Sequence, residues 1–375
     1  MRVAFVAESF LPTINGVTNS VLRVLEHLND HGHDAMVISY RHPDGVPADY
    51  QGFPIKTIPS LTLPWYRSLR MAFFVSGLIQ RTMNQFQPDV VHLASPFLIG
   101  YSGLRAANRM GLPTVALYQT EVPKYMASYG YPLIEPAAWQ HVRRIHNQST
   151  LTLAPSSYTR DELISHGVQR VDVWGRGVDT QRFNPAHRDH QLHNSWAPNG
   201  EVVIGYMGRL GAEKQVENLR VLGDIAGARI VIIGDGPQRA ELEATLPAAI
   251  FVGMKTGEEL SRHLASLDVF VHTGELETFG QAIQEAQASG LPVIAPRRGG
   301  PIDLVTPTVD GYLYAPGGLT ELRSHAIRLV EDAQIRESMA KAARQRTEAR
   351  TWPVICDELL GHYQAAIDAH RKLIG

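Results

Sequence analysis

Short apolar runs alternate along the chain with longer stretches in which apolar residues recur every three or four positions. The runs predict buried β-strands, and the longer stretches predict helices. In the first half, strands are expected at residues 3–7, 35–39, 89–93, 113–117, 151–154 and 170–173, with a long irregular segment after the second. Helices are expected at residues 17–31, 67–85, 98–110, 135–147 and 158–166. This alternation predicts a parallel sheet with helices on its faces.

The same alternation begins again near residue 202. Strands are expected at residues 202–207, 229–233, 250–252 and 268–272, with helices after Gly236, near 258–265, from 279 to about 290, and at 352–372. Residues 183–200 are rich in Pro, His, Asn and Asp and show no periodicity, which is typical of a connector. We therefore predict α/β domains at 1–180 and 201–351, a connector at 181–200, and a final helix within 352–375.

Composition narrows the class of protein. The 375 residues are enough for two domains with full cores, and a formal net charge of -2 does not favour nucleic acid as a partner. The single cysteine, Cys356, excludes an intramolecular disulfide, and residues 1–8 have the pattern of a strand and not of a signal peptide. No apolar run is long enough to cross a bilayer. These features predict a cytoplasmic protein.

The turn at residues 274–285 joins an apolar strand to a helix and contains two spaced carboxylates. It lies at the carboxyl end of a strand, where open α/β sheets bind ligands. Glu277 and Glu285 would be separated by roughly 12 Å if the residues between them were helical. The free N–H groups of a helix start are suited to a phosphate. We therefore expect one carboxylate to bind sugar hydroxyls and the other to bind ribose hydroxyls, on either side of a diphosphate.

The sequence Glu-Thr-Phe-Gly-Gln-Ala-Ile-Gln-Glu at 277–285, continued by Ala-Gln-Ala-Ser-Gly-Leu-Pro-Val-Ile-Ala, resembles the signature of the retaining glycosyltransferases of family four. The resemblance covers nearly the whole chain. It implies the GT-B fold: two doubly wound Rossmann-like domains that face each other across a cleft, with the final helix crossing back to the first. The first domain would then bind the acceptor, and the second would bind a nucleotide sugar.

The resemblance also implies the donor site. Arg209 and Lys214 match the family's Gly-Arg and Glu-Lys pattern and would bind the diphosphate, so that no metal or other cofactor is required. Together with Glu277, which would hold the sugar hydroxyls, they are the predicted catalytic residues. The remaining predicted donor-binding residues are Gly16, Gly236, Val252, Met254, Thr278, Phe279, Gly280 and Glu285.

On the acceptor side the sequence departs from its family. Gln119 stands where relatives commonly have a histidine, and an amide is unable to act as a base. The Tyr-Gln-Thr-Glu-Val-Pro stretch at 118–123 and the opening at 8–21 are similar to those of actinobacterial GDP-mannose-dependent α-mannosyltransferases that act on lipid acceptors. The predicted acceptor-side residues are Asn15, Gly16, Gln119, Thr120, Glu121 and Arg176. The Asn15-Gly16 loop would lie near either the donor phosphate or the acceptor.

Residues 56–81 carry basic and aromatic side chains, and no acidic residue occurs between Asp49 and Asp89. Such an amphipathic segment suits the surface of an anionic membrane, and it equally suits a core-facing helix with a solvated basic face. A lipid acceptor would favour the first interpretation and a location at the inner face of the plasma membrane.

The resemblance implies transfer of a hexose, mannose from GDP-mannose, to a glycolipid or phospholipid-type hydroxyl with retention of configuration. The implied mechanism is front-face, with the departing phosphate oxygen helping to deprotonate the acceptor and domain closure excluding water. Two alternatives share the fold: a UDP-sugar-dependent transferase and a non-hydrolysing nucleotide-sugar epimerase. A dinucleotide-dependent dehydrogenase is disfavoured, because the first strand leads to Glu-Ser-Phe-Leu-Pro and not to Gly-Xaa-Gly-Xaa-Xaa-Gly.

Overall fold

The computed structural model of the chain describes residues 1–63, 66–71, 75–119 and 135–374, without side chains at 61–63, 66–71 and 373–374. Two compact units are present. The first contains Met1–Gly175 together with Ile355–Gly375, and the second contains Arg176–Val354. Within the described residues, no helix is both long and apolar enough to span a bilayer.

The first unit is built on an eight-stranded sheet. Its strands are β1 (Arg2–Ala7), β2 (Asp34–Tyr40), β3 (Asp49–Tyr50), β4 (Phe53–Ile58), β7 (Val90–Ala94), β8 (Thr114–Leu117), β9 (Leu151–Ala154) and β10 (Val171–Val173), while β5 (Leu61–Leu63) and β6 (Tyr66–Met71) form a separate hairpin. The strand order is β10-β9-β8-β7-β1-β2-β4-β3, and every pair in the sheet is parallel except β3 with β4. The helices are α1 (Gly16–Asp30), α2 (Ser76–Phe86), α3 (Ile99–Arg109), α4 (Glu135–Gln148) and α5 (Ser157–Ser165).

The second unit contains a six-stranded parallel sheet in the order β13-β12-β11-β14-β15-β16. Its strands are β11 (Val202–Met207), β12 (Ala228–Ile233), β13 (Ile250–Gly253), β14 (Val269–Val271), β15 (Val293–Pro296) and β16 (Gly311–Tyr314). Its helices are α6 (His190–Trp196), α7 (Arg239–Thr245), α8 (Gly257–Ala265), α9 (Gln281–Ala288), α10 (Pro301–Leu304), α11 (Leu319–Glu331) and α12 (Ala333–Glu348). Numbered within the unit, this order is 3-2-1-4-5-6, that of a Rossmann fold, and the strand order reverses between β11 and β14.

Both faces of the second sheet are covered, which explains why its strands are almost entirely apolar, with Arg229 at the start of β12 as an exception. Val203 and Val231 belong to a core cluster on one face, whereas Ile204 and Ile232 belong to a separate cluster on the other. Successive side chains in a strand point to opposite faces, so a strand covered on both sides needs apolar residues at every position. The predicted class, α/β with two Rossmann-like domains, is confirmed.

The final helix, α13 (Trp352–Ile374), begins in the second unit and packs mainly in the first. Trp174 donates its indole N–H to the main-chain oxygen of Ile355 at 2.8 Å, and His92 Nδ1 lies 2.5 Å from the hydroxyl of Tyr363. These contacts join the helix to the end of β10 and to the middle of β7 within the first unit.

Residues 67–85 do not form the single helix that the sequence predicts. Tyr66–Met71 is a strand paired antiparallel with Leu61–Leu63, and α2 begins only at Ser76. The Leu-Thr-Leu alternation, with a period of two, is the signal that the helical interpretation overlooked. Of the segment 56–81 predicted to contact a membrane, residues 64–65 and 72–74 lie outside the described part of the chain.

Residues 183–200 are not an irregular connector. Pro185–His187 forms a 3-10 turn, α6 follows, and Trp196 is buried in the core of the second unit. Arg188 and His193 contact the two carboxylate oxygens of Asp268 at 2.7 and 2.8 Å. The polar composition that suggested a linker therefore supplies ion pairs that attach the segment to the second unit.

Candidate active site

Two loops meet at the carboxyl ends of β11 and β12 through direct backbone contact. Gly208 and Leu210 donate their N–H groups to the main-chain oxygens of Ile233 and Asp235, at 3.0 and 2.9 Å. A Cβ atom at Gly234 would overlap the main-chain oxygen of Gly208. The Gly-Asp-Gly-Pro turn is thus a packing requirement, and it holds the 208–211 backbone at the point where the strand order reverses.

Lys214 and Glu277 form an ion pair at this edge of the sheet. The Nζ atom of Lys214 lies 2.8 Å from Glu277 Oε2, and the two side chains are 20% and 19% exposed. Thr273 at the end of β14 donates to the main-chain oxygen of Lys214 at 2.7 Å, which fixes the lysine beside the turn. Arg209 lies nearby in sequence but is more exposed, and its guanidinium contacts Glu213 at 2.9 Å.

The Glu277 carboxyl is held ionised. Burial on its own raises its pKa, but nearby charges, Lys214 foremost, outweigh burial and lower the pKa to about 2. His272, whose Nε2 atom is 3.7 Å from Glu277 Oε2, is itself buried. Burial lowers the pKa of His272 to about 4, so its ring is neutral at physiological pH. Glu277 is consequently an acceptor of hydrogen bonds and not a source of protons.

The turn that carries Glu277 is fixed from behind by Gly299 and Gly300. Gly300 donates its N–H to the main-chain oxygen of Glu277 at 2.8 Å, and a Cβ atom on Gly300 would overlap the main-chain oxygen of Phe279. Phe279 is 3% exposed and belongs to the core of the second unit. Its side chain therefore anchors the turn and does not face a ligand.

Helix α9 begins at Gln281, two residues later than the sequence predicts. Gly280 has a left-handed backbone (φ 100°). Every residue of the second unit, 176–354, is described, and no side chain there caps this end of the helix. Ile283 donates its N–H to the main-chain oxygen of Gly280 at 2.9 Å, so the N–H groups of Gln281 and Ala282 are those that remain for an anion. Because residues 277–280 are not helical, the 12 Å estimate for the separation of the two glutamates does not apply.

A cleft of about 680 Å³ lies beside the start of α9. It is lined by the glycine loops, by the segment after β13 and by α9 itself: Met207, Gly208, Arg209, Ile233, Gly234, Asp235, Gly236, Met254, Lys255, Leu260, Gln281, Ala282 and Glu285. A nucleoside fits a cleft of this size and mixed polarity. Four of the predicted donor-binding residues are brought together here: Arg209, Gly236, Met254 and Glu285.

Glu285 has the opposite electrostatic character to Glu277. Burial raises its pKa to about 7, opposed by the charge of Arg182, by a hydrogen bond from Gln281 and by the charge of Arg176. Near neutral pH its carboxyl is therefore a mixture of donor and acceptor forms, either of which pairs with a hydroxyl group.

Arg176 was predicted on the acceptor side, but it lies in the second unit and acts on both glutamates. Burial is the largest influence on the pKa of each carboxyl and raises it, whereas the charge of Arg176 contributes to lowering both. Gln281 donates to the main-chain oxygen of the adjacent Gly177 at 3.2 Å, which ties this loop to α9.

The two predicted residues at the end of β13, Val252 and Met254, have different surroundings. Val252 packs against the core, and Met254 lines the cleft with 71% of its surface exposed. Gly253, the last residue of β13, has a left-handed backbone (φ 76°), which ends the strand and turns Met254 away from the face that Val252 occupies. Sequence reasoning missed Asp235, Lys255 and Leu260, which line the cleft, and His272 beside Glu277. Their positions directly after β12, β13 and β14, or at the following helix, were the available signal.

In the first unit, Asn15 is a helix cap. Its side-chain oxygen accepts from Val17 N and Thr18 N at 3.0 and 2.9 Å, and Gly16 is the first, exposed residue of α1. Gln119 is buried after β8, while Thr120 and Glu121 lie outside the described residues. Asn15 thus has a structural role as an ordinary strand-to-helix cap.

The raised pKa of Glu285 predicts a pH-dependent effect of Glu285→Gln on stability. Ionising a group whose folded-state pKa exceeds its unfolded-state pKa costs free energy, and the cost grows as the pH rises from about 4.5 to about 7. We expect the free energy of unfolding of the variant to exceed that of the wild type by about 1–3 kcal/mol at pH 8 and by much less at pH 5. Urea unfolding at both pH values measures this.

Glu258→Gln, at an exposed position in α8, is the matched control and should change little at either pH. An equal gain at pH 5 and pH 8 for Glu285→Gln would show that the gain has a cause other than ionisation.

Known proteins are similar to this chain in sequence and in fold. Residues 14–182 match Glycosyltransferase Family 4, and residues 189–346 match Glycosyl transferases group 1. The chain is 48% identical over 372 residues to a GDP-mannose-dependent alpha-mannosyltransferase of Mycobacterium tuberculosis, covering 97% of each protein. It is 26% identical over 365 residues to a GDP-mannose-dependent alpha-(1-6)-phosphatidylinositol dimannoside mannosyltransferase of the same species, covering 94% of this chain and 93% of that protein.

Among solved structures, Anabaena HepE in complex with UDP superposes with a TM-score of 0.79 at 19% identity, covering 97% of this chain and 100% of that chain. That likeness supports the two Rossmann-like sheets. The sequence matches extend over both units, and they include the glycine loops and the two glutamates. The chain therefore belongs to the family 4 glycosyltransferases.

Proposed function

We propose that this chain is a retaining α-mannosyltransferase that moves mannose from GDP-mannose to a hydroxyl group of a lipid-linked acceptor. The observation that carries the proposal is the Lys214–Glu277 ion pair beside the uncapped start of α9, at the point where the strand order reverses. The 48% identity to a relative named as a GDP-mannose-dependent alpha-mannosyltransferase supports the choice of donor.

The diphosphate binds at the start of α9, between Arg209 and Lys214. The amide groups of the helix start supply directional donors, and the two cations balance the charge of the leaving group. Lys214 exchanges its contact with Glu277 for one with a phosphate oxygen, a small movement for a flexible side chain. With this much positive charge available, the leaving group is stabilised without a metal ion.

The two glutamates bind the mannose and the ribose on either side of the diphosphate. Glu277, ionised at every physiological pH, accepts hydrogen bonds from the hydroxyl groups of the mannose. Glu285 lies in the cleft and binds the ribose hydroxyls, with the base toward Met254 and Lys255. Thr278 and Gly280, which lie between the two glutamates in sequence, are assigned to the donor through their main-chain groups.

The reaction itself exchanges one C–O bond for another on the same face of the sugar. The bond between C1 of mannose and the β-phosphate oxygen breaks, and GDP leaves with the electron pair. The acceptor oxygen bonds to C1, and its proton passes to a phosphate oxygen of the departing GDP. Glu277 and Lys214 act by position and charge, and neither forms a covalent bond with the sugar.

The acceptor and the location follow from the chemistry of relatives. One relative is named for a phosphatidylinositol dimannoside, a lipid acceptor. The basic and aromatic composition of residues 56–81 supports peripheral contact of the first unit with the anionic inner surface of the plasma membrane. Of the acceptor-side candidates, Asn15, Gly16, Gln119 and Arg176 lie in the described part of the chain, and the side-chain oxygen of Asn15 is already engaged as the cap of α1.

Donor choice is the first test. We expect GDP-mannose to raise the melting temperature in proportion to the logarithm of its concentration, because it binds the folded state alone. UDP-glucose and UDP-N-acetylglucosamine should give much smaller shifts. Calorimetric titration of the three donors checks the order of affinities, and preference for a UDP-sugar would overturn the mannosyl assignment. Release of an epimer without acceptor would favour the epimerase alternative.

Lys214→Ala tests the assigned role of the cation. Loss of a charge that stabilises the departing diphosphate should lower kcat by about 10²-fold, with less than about tenfold change in the Kd for GDP-mannose. Lys341→Ala, at an exposed position on α12, is the matched control. Urea unfolding confirms that the variant is folded. Unchanged turnover would contradict the role of Lys214.

Charge reversal tests membrane contact. Each Arg near an anionic surface contributes about 1 kcal/mol, so Arg67→Glu combined with Arg70→Glu should weaken binding to phosphatidylglycerol-containing vesicles at least about 30-fold. Arg143→Glu with Arg144→Glu, an exposed basic pair on α4, is the control. Co-sedimentation at fixed ionic strength is the measurement, and equal binding by both double variants would exclude residues 56–81 as the contact.

A further inference from the structure

Two histidines and an aspartate meet in the first unit, whereas the residues that line the cleft all belong to the second. His27 lies in the last turn of α1, and His31 follows that helix directly. Residues four apart on a helix lie on the same face. Asp357, from α13, approaches that face from the other side. All three residues belong to the same compact unit.

The geometry of the three groups suits a shared ion. One ring nitrogen of each histidine and a carboxylate oxygen of Asp357 lie within 4.8 Å of one another, and this is the one such group of three or more His, Cys, Asp or Glu in the described residues. His27 Nε2 and Asp357 Oδ1 are 2.9 Å apart, and the two imidazole centroids are 4.0 Å apart. Ligands of a tetrahedral ion with bonds of about 2.0–2.1 Å lie about 3.3–3.4 Å apart.

Small shifts of the side chains would bring the three ligand atoms to the spacing that a tetrahedral ion requires. The His27 side chain is 6% exposed and fixed by its surroundings, whereas the Asp357 side chain is 64% exposed and free to shift by a few tenths of an ångström. The ring of His31 is already oriented, because its Nδ1–H donates to the main-chain oxygen of His27 at 2.8 Å. That bond leaves the lone pair of the neutral ring on Nε2, as in most metal-binding histidines.

The local field also favours a cation. The carboxyl end of a helix carries partial negative charge from its unpaired carbonyl groups, and both histidines lie at that end of α1. Asp357 adds a full negative charge. Two imidazoles with one carboxylate are a donor set for Zn²⁺ and its neighbours, whereas Mg²⁺ and Ca²⁺ prefer oxygen ligands throughout.

We propose that His27, His31 and Asp357 bind one divalent transition-metal ion of the Zn²⁺ type, with water completing its coordination. The ion joins the end of α1 to α13, the helix that passes from the second unit into the first. Its role is to fix that helix on the first unit, and it takes no part in sugar transfer.

The test uses the full-length, metal-stripped protein, with Zn²⁺ in calorimetric titrations and Co²⁺ as the spectroscopic probe. We expect one equivalent of Zn²⁺ to bind and to raise the melting temperature. We expect Co²⁺ to give the visible bands of a low-symmetry nitrogen and oxygen site. His31→Ala and Asp357→Asn should each weaken Zn²⁺ binding at least about tenfold, the latter with its side-chain volume kept.

His190→Ala, an exposed histidine of the second unit, is the control and should bind as the wild type does. Circular dichroism establishes that each variant is folded. Absence of stoichiometric binding to the wild type would overturn the proposal. So would equal affinity in all variants, or a sulfur-to-Co²⁺ charge-transfer band that assigns the site to the neighbouring buried thiol of Cys356.

Discussion

The ion pair between Lys214 and Glu277 is the interaction on which the candidate site depends. A largely buried carboxylate is costly unless a partner compensates it, and here Lys214 keeps the group ionised against burial. The pair lies on segments that follow two different strands, β11 and β14. Its geometry is therefore set by the sheet, and a ligand that takes the lysine must supply hydrogen-bond donors to Glu277 in turn.

Glycines in the second unit allow the loops around the candidate site to pack closely, because a glycine has no side chain. Gly234 and Gly236 allow backbone to touch backbone at one edge of the sheet, and Gly300 allows it behind Glu277. Phe279 extends the same turn into the core. The loops that carry the chemistry are thus as closely packed as the interior, which is what a site that works by position requires.

Sequence patterns predicted the fold because it rests on local signals. Apolar runs located most strands, whereas the roles of Arg209, Lys214 and Glu277 rest on the resemblance to a family and stay predictions. What the sequence patterns missed depends on contacts distant in sequence. The polar segment at 183–200 folds because Arg188 and His193 reach Asp268, some 80 residues away. The opposite pKa shifts of Glu277 and Glu285 likewise depend on neighbours that spacing alone does not reveal.

Because Met254 is exposed, the shape of the cleft at this position is independent of the folding stability of the second unit. The Met254 side chain lines the cleft and is 71% exposed, whereas Val252, two residues earlier, packs against the core. Substitutions at position 254 therefore alter the wall of the cleft at almost no cost in folding free energy. The shape of the cleft is thus able to change at this one position while the glycine loops and the interior stay as they are.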